Sequence, residues 1–479
     1  MLSKSGVFSF YLVAIIFIFN TTDVYSQKQW TLLECINMAV DNNLQMVAME
    51  NNIDNGVINL KQSIHSQFPG LQGGINLGNN FGRTVDPTSN SFITQSILSN
   101  GFSLNSSMVL FNGFSIRNTI DQAKLNNTAL YKDREQLKRD IVLNVSTAYL
   151  NVLFAKENIS IAENQLEQTI NQRDFVLRMI QVGNSAENAI FDVDAQIAQN
   201  EQNLVTAKNS LELGKLTLRQ AMRLDPSIPF DITTPSVTIN TDMLDILTMD
   251  ELTKSAFQNQ VGLEASRLRI AVAEKGEKIA QAGFYPSLGI GGSLSSNFSN
   301  RFNQIKRFDE IILEQDIIFN GQEVTIGFPQ SVPVFESIPY FDQLNNNLSY
   351  GFGLSLNIPI YSNNNIKAAK GRAEIATKTA ANNYEIAKDN LKVTVTQSYT
   401  EAKAAKARFD ASEKTFKAQQ AVYDNAIKRF ESGAINSFEL VRVKSVFETA
   451  QTNFLIARYD LYFRLKVLDF YMGKPLNIE

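Results

Sequence analysis

Apolar residues recur at alternating steps of four and three in the middle of the chain: Ile141, Val145, Ala148, Val152, Ala155, Ile159, Ala162 and Leu166. The same register returns 250 residues later as Leu391, Val395, Ser398, Ala402, Ala405, Phe409, Ser412 and Phe416. A sustained 4-3 step is the seam of a coiled coil, and the small Ala and Ser in it let helix backbones approach closely. The stripe is narrow and flanked by Asn, Gln, Lys and Glu, so such a helix has partners along one seam and water over much of the rest. Proline is absent from Thr88 to Asp225 and from Ile360 to Lys474. An interior proline costs a helix about 3 kcal/mol, so long helices are confined to these windows. The pattern predicts helices over 115–182 and 365–432, each on the order of 100 Å long. Each ends at a glycine, Gly183 or Gly433, of the kind that turns left-handed past a helix C-terminus. Return helices follow over 187–222 and 436–472, so each half holds an antiparallel helical hairpin with glycine at its tip.

A second period appears between the helices. Tyr350, Phe352, Leu354, Leu356, Ile358 and Ile360 alternate with Gly351, Gly353, Ser355, Asn357 and Pro359. Phe102, Leu104, Met108 and Leu110 alternate with Ser103, Asn105, Ser107 and Val109. Leu71, Gly73, Ile75 and Leu77, and Leu288, Ile290 and Leu294, give weaker versions. Four strands are predicted, over 70–81, 102–111, 287–298 and 349–360, each of the length that crosses a bilayer at a tilt. A soluble antiparallel sheet alternates too. Two features favour lipid: the Gly, Ser and Asn face suits a water-filled lumen, and nothing in the chain resembles a layer that would cover the apolar face. The lipid-facing candidates are Phe102, Leu104, Met108, Leu110, Tyr350, Phe352, Leu354, Leu356 and Ile358. Four strands cannot close into a barrel, and an open edge in hydrocarbon costs several kcal/mol per unpaired backbone group. Copies must therefore pool strands. Two would supply eight and three would supply twelve; closure excludes the monomer without choosing between them.

The chain is written twice. At an offset of 217, Thr31 matches Thr248, Glu34 matches Glu251, Ala39 matches Ala256 and Asn42 matches Asn259, and Phe68-Pro69-Gly70-Leu71 matches Tyr285-Pro286-Ser287-Leu288. At 250, Phe102 matches Phe352, Tyr149 matches Tyr399, Gly183 matches Gly433 and Met222 matches Met472. This is one long duplication, with 33 extra residues in the second copy, and not an array of short repeats. The first repeat is 27–223, opening on a helix over 31–67. The second is 248–472, opening on a helix over 249–282. Residues 224–247 link them, 299–345 are an insertion and 473–479 a tail. Within the insertion, Ile317 to Thr325 reads as a hairpin around Asn320-Gly321, an unstructured loop being the alternative.

Before the first repeat, Lys4 precedes an apolar run from Val7 to Phe19 and the small-residue end Val24-Tyr25-Ser26, which reads as a signal peptide over 1–26. No later stretch reaches the length of a transmembrane helix. Cys35 is the only cysteine, so no internal disulfide forms; in a helical pattern with Leu33, Ile36 and Ala39 it reads as a small buried apolar residue. The net charge of −4 gives no basic footprint for nucleic acid. With one histidine, His65, no histidine triad or zinc site can be assembled. No phosphate-cradling loop is present, so energy must come from a partner. The expectation is a non-enzyme with no cofactor and no metal.

The duplicated order of helix, strand pair, long helix and return helix resembles the TolC-type outer-membrane efflux channels. So do Phe-Pro-Gly-Leu (68–71) and Tyr-Pro-Ser-Leu (285–288) leading into strands, and Leu-Phe-Asn-Gly-Phe (110–114) and Ile-Tyr-Ser-Asn-Asn (360–364) leaving them. The tips Gln-Val-Gly-Asn-Ser (181–185) and Glu-Ser-Gly-Ala-Ile-Asn (431–436) match as well. The resemblance implies a mainly α fold with a transmembrane β-barrel: a homotrimer whose twelve-stranded barrel in the outer membrane of a Gram-negative bacterium continues into a twelve-helix tunnel across the periplasm. It implies the exit duct of a tripartite export system, with a periplasmic adaptor (membrane fusion) protein and an inner-membrane pump as partners. The docking turns would be Gly183, Asn184, Ser185, Gly433, Ala434, Ile435 and Asn436. The insertion would be extracellular, and the linker and tail would form an irregular belt. In such channels acidic residues near the tips constrict the entrance, so Glu187, Asp192, Asp194, Glu439 and Arg442 are the gate candidates. Arg442 departs from the family pattern, which is acidic nine residues past the second glycine; Asp192, its counterpart in the first repeat, is the other source of an acidic ring. Solvated helix ends are the plainer reading, since acidic residues favour helix N-termini. The alternative function is a periplasmic adaptor or coiled-coil scaffold, which also carries long hairpins but needs compact β-domains flanking a single one.

Overall fold

The Thr-x-x-Glu pattern shared by the two halves is a pair of helix starts. A computed structural model describes residues 29–85, 90–94, 96–183, 185–225, 227–234, 244, 248–319 and 321–474. The signal segment 1–26, the tip residue Asn184, the turn residue Asn320, most of the linker and residues 475–479 of the tail lie outside the described residues. The helices are α1 (Leu32–Asn42), α2 (Leu44–His65), α3 (Ser115–Gln181), α4 (Ala189–Met222), α5 (Met249–Asn259), α6 (Val261–Ala282), α7 (Tyr340–Asn346), α8 (Asn365–Glu431) and α9 (Ser437–Tyr471). The strands are β1 (Gln29–Trp30), β2 (Gly70–Asn80), β3 (Arg83–Val85), β4 (Phe92–Thr94), β5 (Ile97–Asn112), β6 (Asp231–Ile232), β7 (Ser287–Ser299), β8 (Asn303–Phe319), β9 (Gln322–Ser337) and β10 (Ser349–Asn357).

Thr31 Oγ1 accepts from Glu34 N at 3.3 Å while Thr31 N donates to Glu34 Oε2 at 2.9 Å, a reciprocal cap on α1. Thr248 and Glu251 repeat it on α5 at 3.4 and 3.0 Å. Each cap contributes about 1 kcal/mol. The predicted single helices over 31–67 and 249–282 are each two helices, of 11 and 22 residues in both repeats. The break falls at Asn43 and Gln260, where ψ is 123° and 111°. Asn43 Oδ1 accepts from Gln45 N and Met46 N at 2.7 and 3.2 Å and so starts α2. At the start of α6, Gly262 N donates to Gln136 Oε1 at 3.0 Å instead. A side chain that satisfies the first N–H groups of a new helix permits a break that apolar spacing does not register.

The chain divides into two compact units: Met1–Gly56 with Asn126–Ile270 and Ala380–Glu479, and Val57–Leu125 with Ala271–Thr379. In the first unit, Val145, Val152, Val395, Ala402 and Ala405 of the two seams are fully buried. Tyr149, 1% exposed, bonds through its hydroxyl to Thr233 O at 2.9 Å, and Lys156 Nζ donates to Asp231 Oδ2 and Ile232 O at 2.9 and 2.8 Å. The short parallel pair β1–β6 is thereby held to α3, with Trp30 and Phe230 in ring contact at 6.2 Å.

The second unit holds an antiparallel four-stranded sheet in the order β10-β7-β5-β2, the two-stranded hairpin β8–β9 and the small pair β3–β4. Strand β5 begins at Ile97 rather than 102, because its first residues, Ile97-Leu98-Ser99-Asn100-Gly101, pair with β2 and β7 without alternating in hydrophobicity. Strand β10 stops at Asn357 rather than 360, since Pro359 has no N–H to offer a ladder. The insertion 299–345 is ordered: hairpin β8–β9, then α7. Between β5 and α3, Gly113 and Phe114 have φ of +64° and +65°, and the corresponding Asn363 and Asn364 have +48° and +63°. A Cβ at Gly113 would lie 2.8 Å from Ala282 O, so glycine is required there by space as well as by φ. Among the described residues no helix is long and apolar enough to cross a membrane, which leaves the strands as the elements to consider.

Candidate functional site in the strands and at the helical tips

The four-stranded sheet carries no charged side chain on any strand. Register assigns its faces. Tyr350, Leu294 and Leu104 form one row across β10, β7 and β5; Leu354, Ile290 and Met108 form another; Phe102 lies opposite Ile75 of β2. The other face, over 70–78, 99–107, 287–299 and 349–357, is Gly, Ser, Asn and Gln alone. Phe352 is 92% exposed and Ile75 75%, so among the described residues most of the apolar face is uncovered, with Tyr340 of α7 reaching only Phe298 at its end. The outer edges of β10 and β2 have no strand partner in the sheet. Two candidates depart from the expected alternation. A bulge after Val109 sets Phe111, not Leu110, opposite Leu288, because an extra residue shifts everything beyond it by one. Ile358 lies beyond the end of β10, next to Pro359, and is exposed.

The two tips are built in the first unit. In the second repeat, Gly433 has φ +75°, its N–H donates to Phe430 O at 2.9 Å and the N–H of Ala434 donates to Arg429 O at 2.8 Å, closing the last turn of α8. Asn436 Oδ1 then accepts from Glu439 N at 2.9 Å and starts α9. In the first repeat, Gly183 has φ +76° and donates to Ile180 O at 2.9 Å, while α4 starts at Ala189 with no side-chain cap. Val176, Ala189, Val193, Phe430, Ile435 and Leu440 form one buried cluster that joins the two tips. Ile435 therefore packs inward, whereas Gly183, Gly433, Ala434 and Asn436 are exposed and Ser185 is half-buried.

The gate candidates separate as well. Arg173 Nε donates to Asp194 Oδ1 at 2.6 Å, so Asp194 is tied within its own hairpin. Both groups are half-exposed, and such a pair contributes no more than about 1 kcal/mol. Glu187 and Arg442 are exposed, and Asp192 and Glu439 half-buried. Glu439 is the residue whose N–H the Asn436 cap receives.

A polar cluster escaped the sequence reading. Lys444 is fully buried, and its Nζ donates to Thr169 Oγ1 at 2.8 Å. Asn200 Nδ2 donates to the same oxygen at 2.9 Å, and Gln196 Nε2 donates to Glu448 Oε2 at 3.4 Å. The Lys444 ammonium stands 3.9 Å from Glu448 Oε1, which receives no hydrogen bond. Burial pushes Lys444 down to about 8 against the attraction of Glu448, and pushes Glu448 up to about 7 against the attraction of Lys444. The signal was present: continuing the 4-3 step past Leu166 lands on Thr169 and then Arg173, polar residues in seam positions.

The outer membrane efflux protein family matches residues 35–222 and again residues 252–474. The chain is similar to the toxin and drug export protein A of Aggregatibacter actinomycetemcomitans, at 21% identity over 372 residues, 76% of this chain and 71% of that protein. Among solved structures it is similar to CusC, at 16% identity and a TM-score of 0.73 over 95% of this chain and 96% of that one. It is similar to the outer membrane protein VceC of Vibrio cholerae, at 13% identity and a TM-score of 0.73 over 93% of this chain and 97% of that one. Both likenesses are of fold. Channels of this family are trimeric components of tripartite efflux systems. The duplicated family match sets aside the adaptor reading. The chain belongs to the outer membrane efflux protein family, as a TolC-like channel of the Gram-negative outer membrane that transports and does not catalyse.

Proposed function

We propose that three copies of this chain pool their four-stranded sheets into one twelve-stranded barrel, the β10 edge of each pairing with the β2 edge of the next. The apolar rows face lipid and the Gly, Ser and Asn face lines a water-filled lumen. The observation that carries this is the uncharged, one-sided sheet with two open edges: in hydrocarbon every backbone group must find a partner, and only closure supplies it. A lumen of small polar side chains takes hydrated cargo of many kinds, which leaves selection to the pump. Gly183, Ser185, Gly433, Ala434 and Asn436, the exposed or half-buried turn residues, receive the periplasmic adaptor, and the inner-membrane pump supplies the energy. Asp192 and Glu439, each present three times in a trimer, constrict the closed tip, with Glu187 and Arg442 beside them.

The two faces of one strand test the barrel. Leu354→Arg places a charge in lipid at about 2–4 kcal/mol per copy and is expected to abolish the detergent-extracted trimer seen by light scattering. Ser355→Arg, on the opposite face, is expected to keep the trimer and shift ion selectivity in planar bilayers. Tolerance of Leu354→Arg, or equal loss from both, overturns the assignment of faces. For the gate, Asp192→Ala and Glu439→Ala are expected to raise single-channel conductance; unchanged conductance and selectivity in both remove them.

A further inference from the structure

The insertion that sets the second repeat apart has a face that none of the described residues covers. Strands β8 and β9 pair from Asn303 with Ser337 to the Phe319–Gln322 turn, as a sheet of two strands only. Its faces are unlike. Ile311, Leu313 and Ile317 of β8 share one face with Ile326, Phe328 and Val332 of β9. Leu313 and Phe328 are direct partners, each 49% exposed. The carboxylates Glu310, Glu314, Asp316 and Glu323 all fall on the other face, where they separate the exposed Phe308, Ile312 and Ile318. Two carboxylates lie on the apolar face and both are paired: Asp309 with Arg307 at 2.8 Å, and Glu336, near the base, with Lys306 at 3.1 Å.

A two-stranded hairpin is marginal in water by itself and needs cover. The edges do not invite it. Pro329 and Pro333 sit in β9, and a ladder tolerates proline only where the missing N–H faces outward, so the free edge of β9 lacks two donors. Cover must come over the apolar face.

The position of the hairpin names the occupant. Strand β7 reaches β8 through residues 300–302 alone. After β9, helix α7 is locked onto β7: Gln343, 1% exposed, accepts from Ser299 N through Oε1 at 3.0 Å and donates from Nε2 to Ile338 O at 2.8 Å. Tyr340 donates its hydroxyl hydrogen to Asn100 Oδ1 at 2.9 Å and sets its ring against that of Phe298, tilted, at 4.7 Å. From α7 the chain enters β10, the open edge at which a neighbouring copy pairs. The base of the hairpin is thus held beside the seam between copies. The four carboxylates on one face repel those of a neighbouring copy, which turns the faces whose carboxylates are paired toward each other.

We propose that the apolar face of the β8–β9 hairpin is a docking surface for the hairpins of neighbouring copies of this chain, so that the assembled channel carries a collar of hairpins where β7 and β10 join the insertion. This rests on the homotrimer proposed above, and the test separates the two. The native Cys35 is fully buried, so engineered single cysteines report alone. Leu313→Cys and Phe328→Cys on the apolar face, and Glu314→Cys and Thr325→Cys on the acidic face, are treated in isolated outer membranes with a short bismaleimide. Light scattering in detergent confirms that each variant assembles. The expected result is a shift of the apolar-face variants to crosslinked dimers on denaturing gels, with the acidic-face variants left as monomers. Equal crosslinking from both faces, none from the apolar face, or crosslinks only to a different protein overturns the collar. A trimer without hairpin crosslinks sinks the collar alone; a monomer in detergent sinks the assembly on which it rests.

Discussion

The two helical hairpins of this chain are equal in length and unlike in what joins their helices. Helices α3 and α8 both run 67 residues, and α4 and α9 run 34 and 35. In the second hairpin, rings alternate between α8 and α9 in one stack: Phe409, Phe454, Phe416, Phe447 and Tyr423, at centroid distances of 5.5, 5.3, 5.9 and 5.1 Å. Ring planes within the stack differ by 30° or less. At the corresponding places the first hairpin has Ile159, Leu166 and Arg173 on α3, and Arg173 reaches Asp194 of α4. Asp194 itself corresponds to Lys444. Helix lengths survive duplication because caps and turn glycines set them locally. The contact between helices tolerates change so long as each knob fills a hole. The consequence is mechanical. Water can replace the hydrogen bonds and the ion pair of the first hairpin, but the second hairpin cannot open without wetting a column of aromatic rings.

Phe416→Ala removes the middle ring of the stack and is expected to cost about 3 kcal/mol, against a smaller loss for Leu166→Ala at the equivalent place. Denaturant midpoints of the assembled channel compare them, and equal losses would erase the distinction. The buried pair is of comparable size. Glu448, raised to about 7, contributes stability that is full below the ordinary carboxylate range and lost as pH rises through 7. Lys444, lowered to about 8, contributes stability that is full above the ordinary lysine value and lost as pH falls through 8. Stability is therefore expected to be lowest between pH 7 and 8 and to rise on either side. Glu448→Gln should remove the acid-side rise, and a profile unchanged in that variant assigns the dependence elsewhere. Lys444→Met strands a buried carboxylate and is expected to cost about 3–5 kcal/mol at pH 8 and less at pH 6, where Glu448 takes up a proton. Among the smallest effects, Thr31→Ala and Thr248→Ala should each cost about 1 kcal/mol, the same in both repeats because the caps are the same. Asp194→Asn should cost less than about 1 kcal/mol, since its pair is half-exposed.

Local chemistry was the legible part. Thr31 and Thr248 stood out as shared residues because each is half of a reciprocal cap, and Gly183 and Gly433 because each takes a positive φ that other residues resist. Asn43 and Gln260 were missed because a capped break leaves the apolar spacing unchanged. Leu110 was placed by alternation, and a single bulged residue puts Phe111 in its row. Ile435 looked like any other turn residue until the second tip was packed against the first. Lys444 and Glu448 stand four apart on one helix and read as an ordinary exposed pair; only α3 and α4, arriving with Thr169 and Asn200, enclose them.

The duplication, the long helices with their glycine ends and the one-sided strands are written in the order of residues, because each depends on the step at which side chains recur or on a residue's own backbone preference. Only the tertiary structure decided the strand order β10-β7-β5-β2, the polar cluster between helices far apart in the chain and the uncovered face of the β8–β9 hairpin. Those depend on which elements meet: a polar Thr169 in a seam position marks one side of the contact, and nothing in the segment around it names Lys444 as the partner.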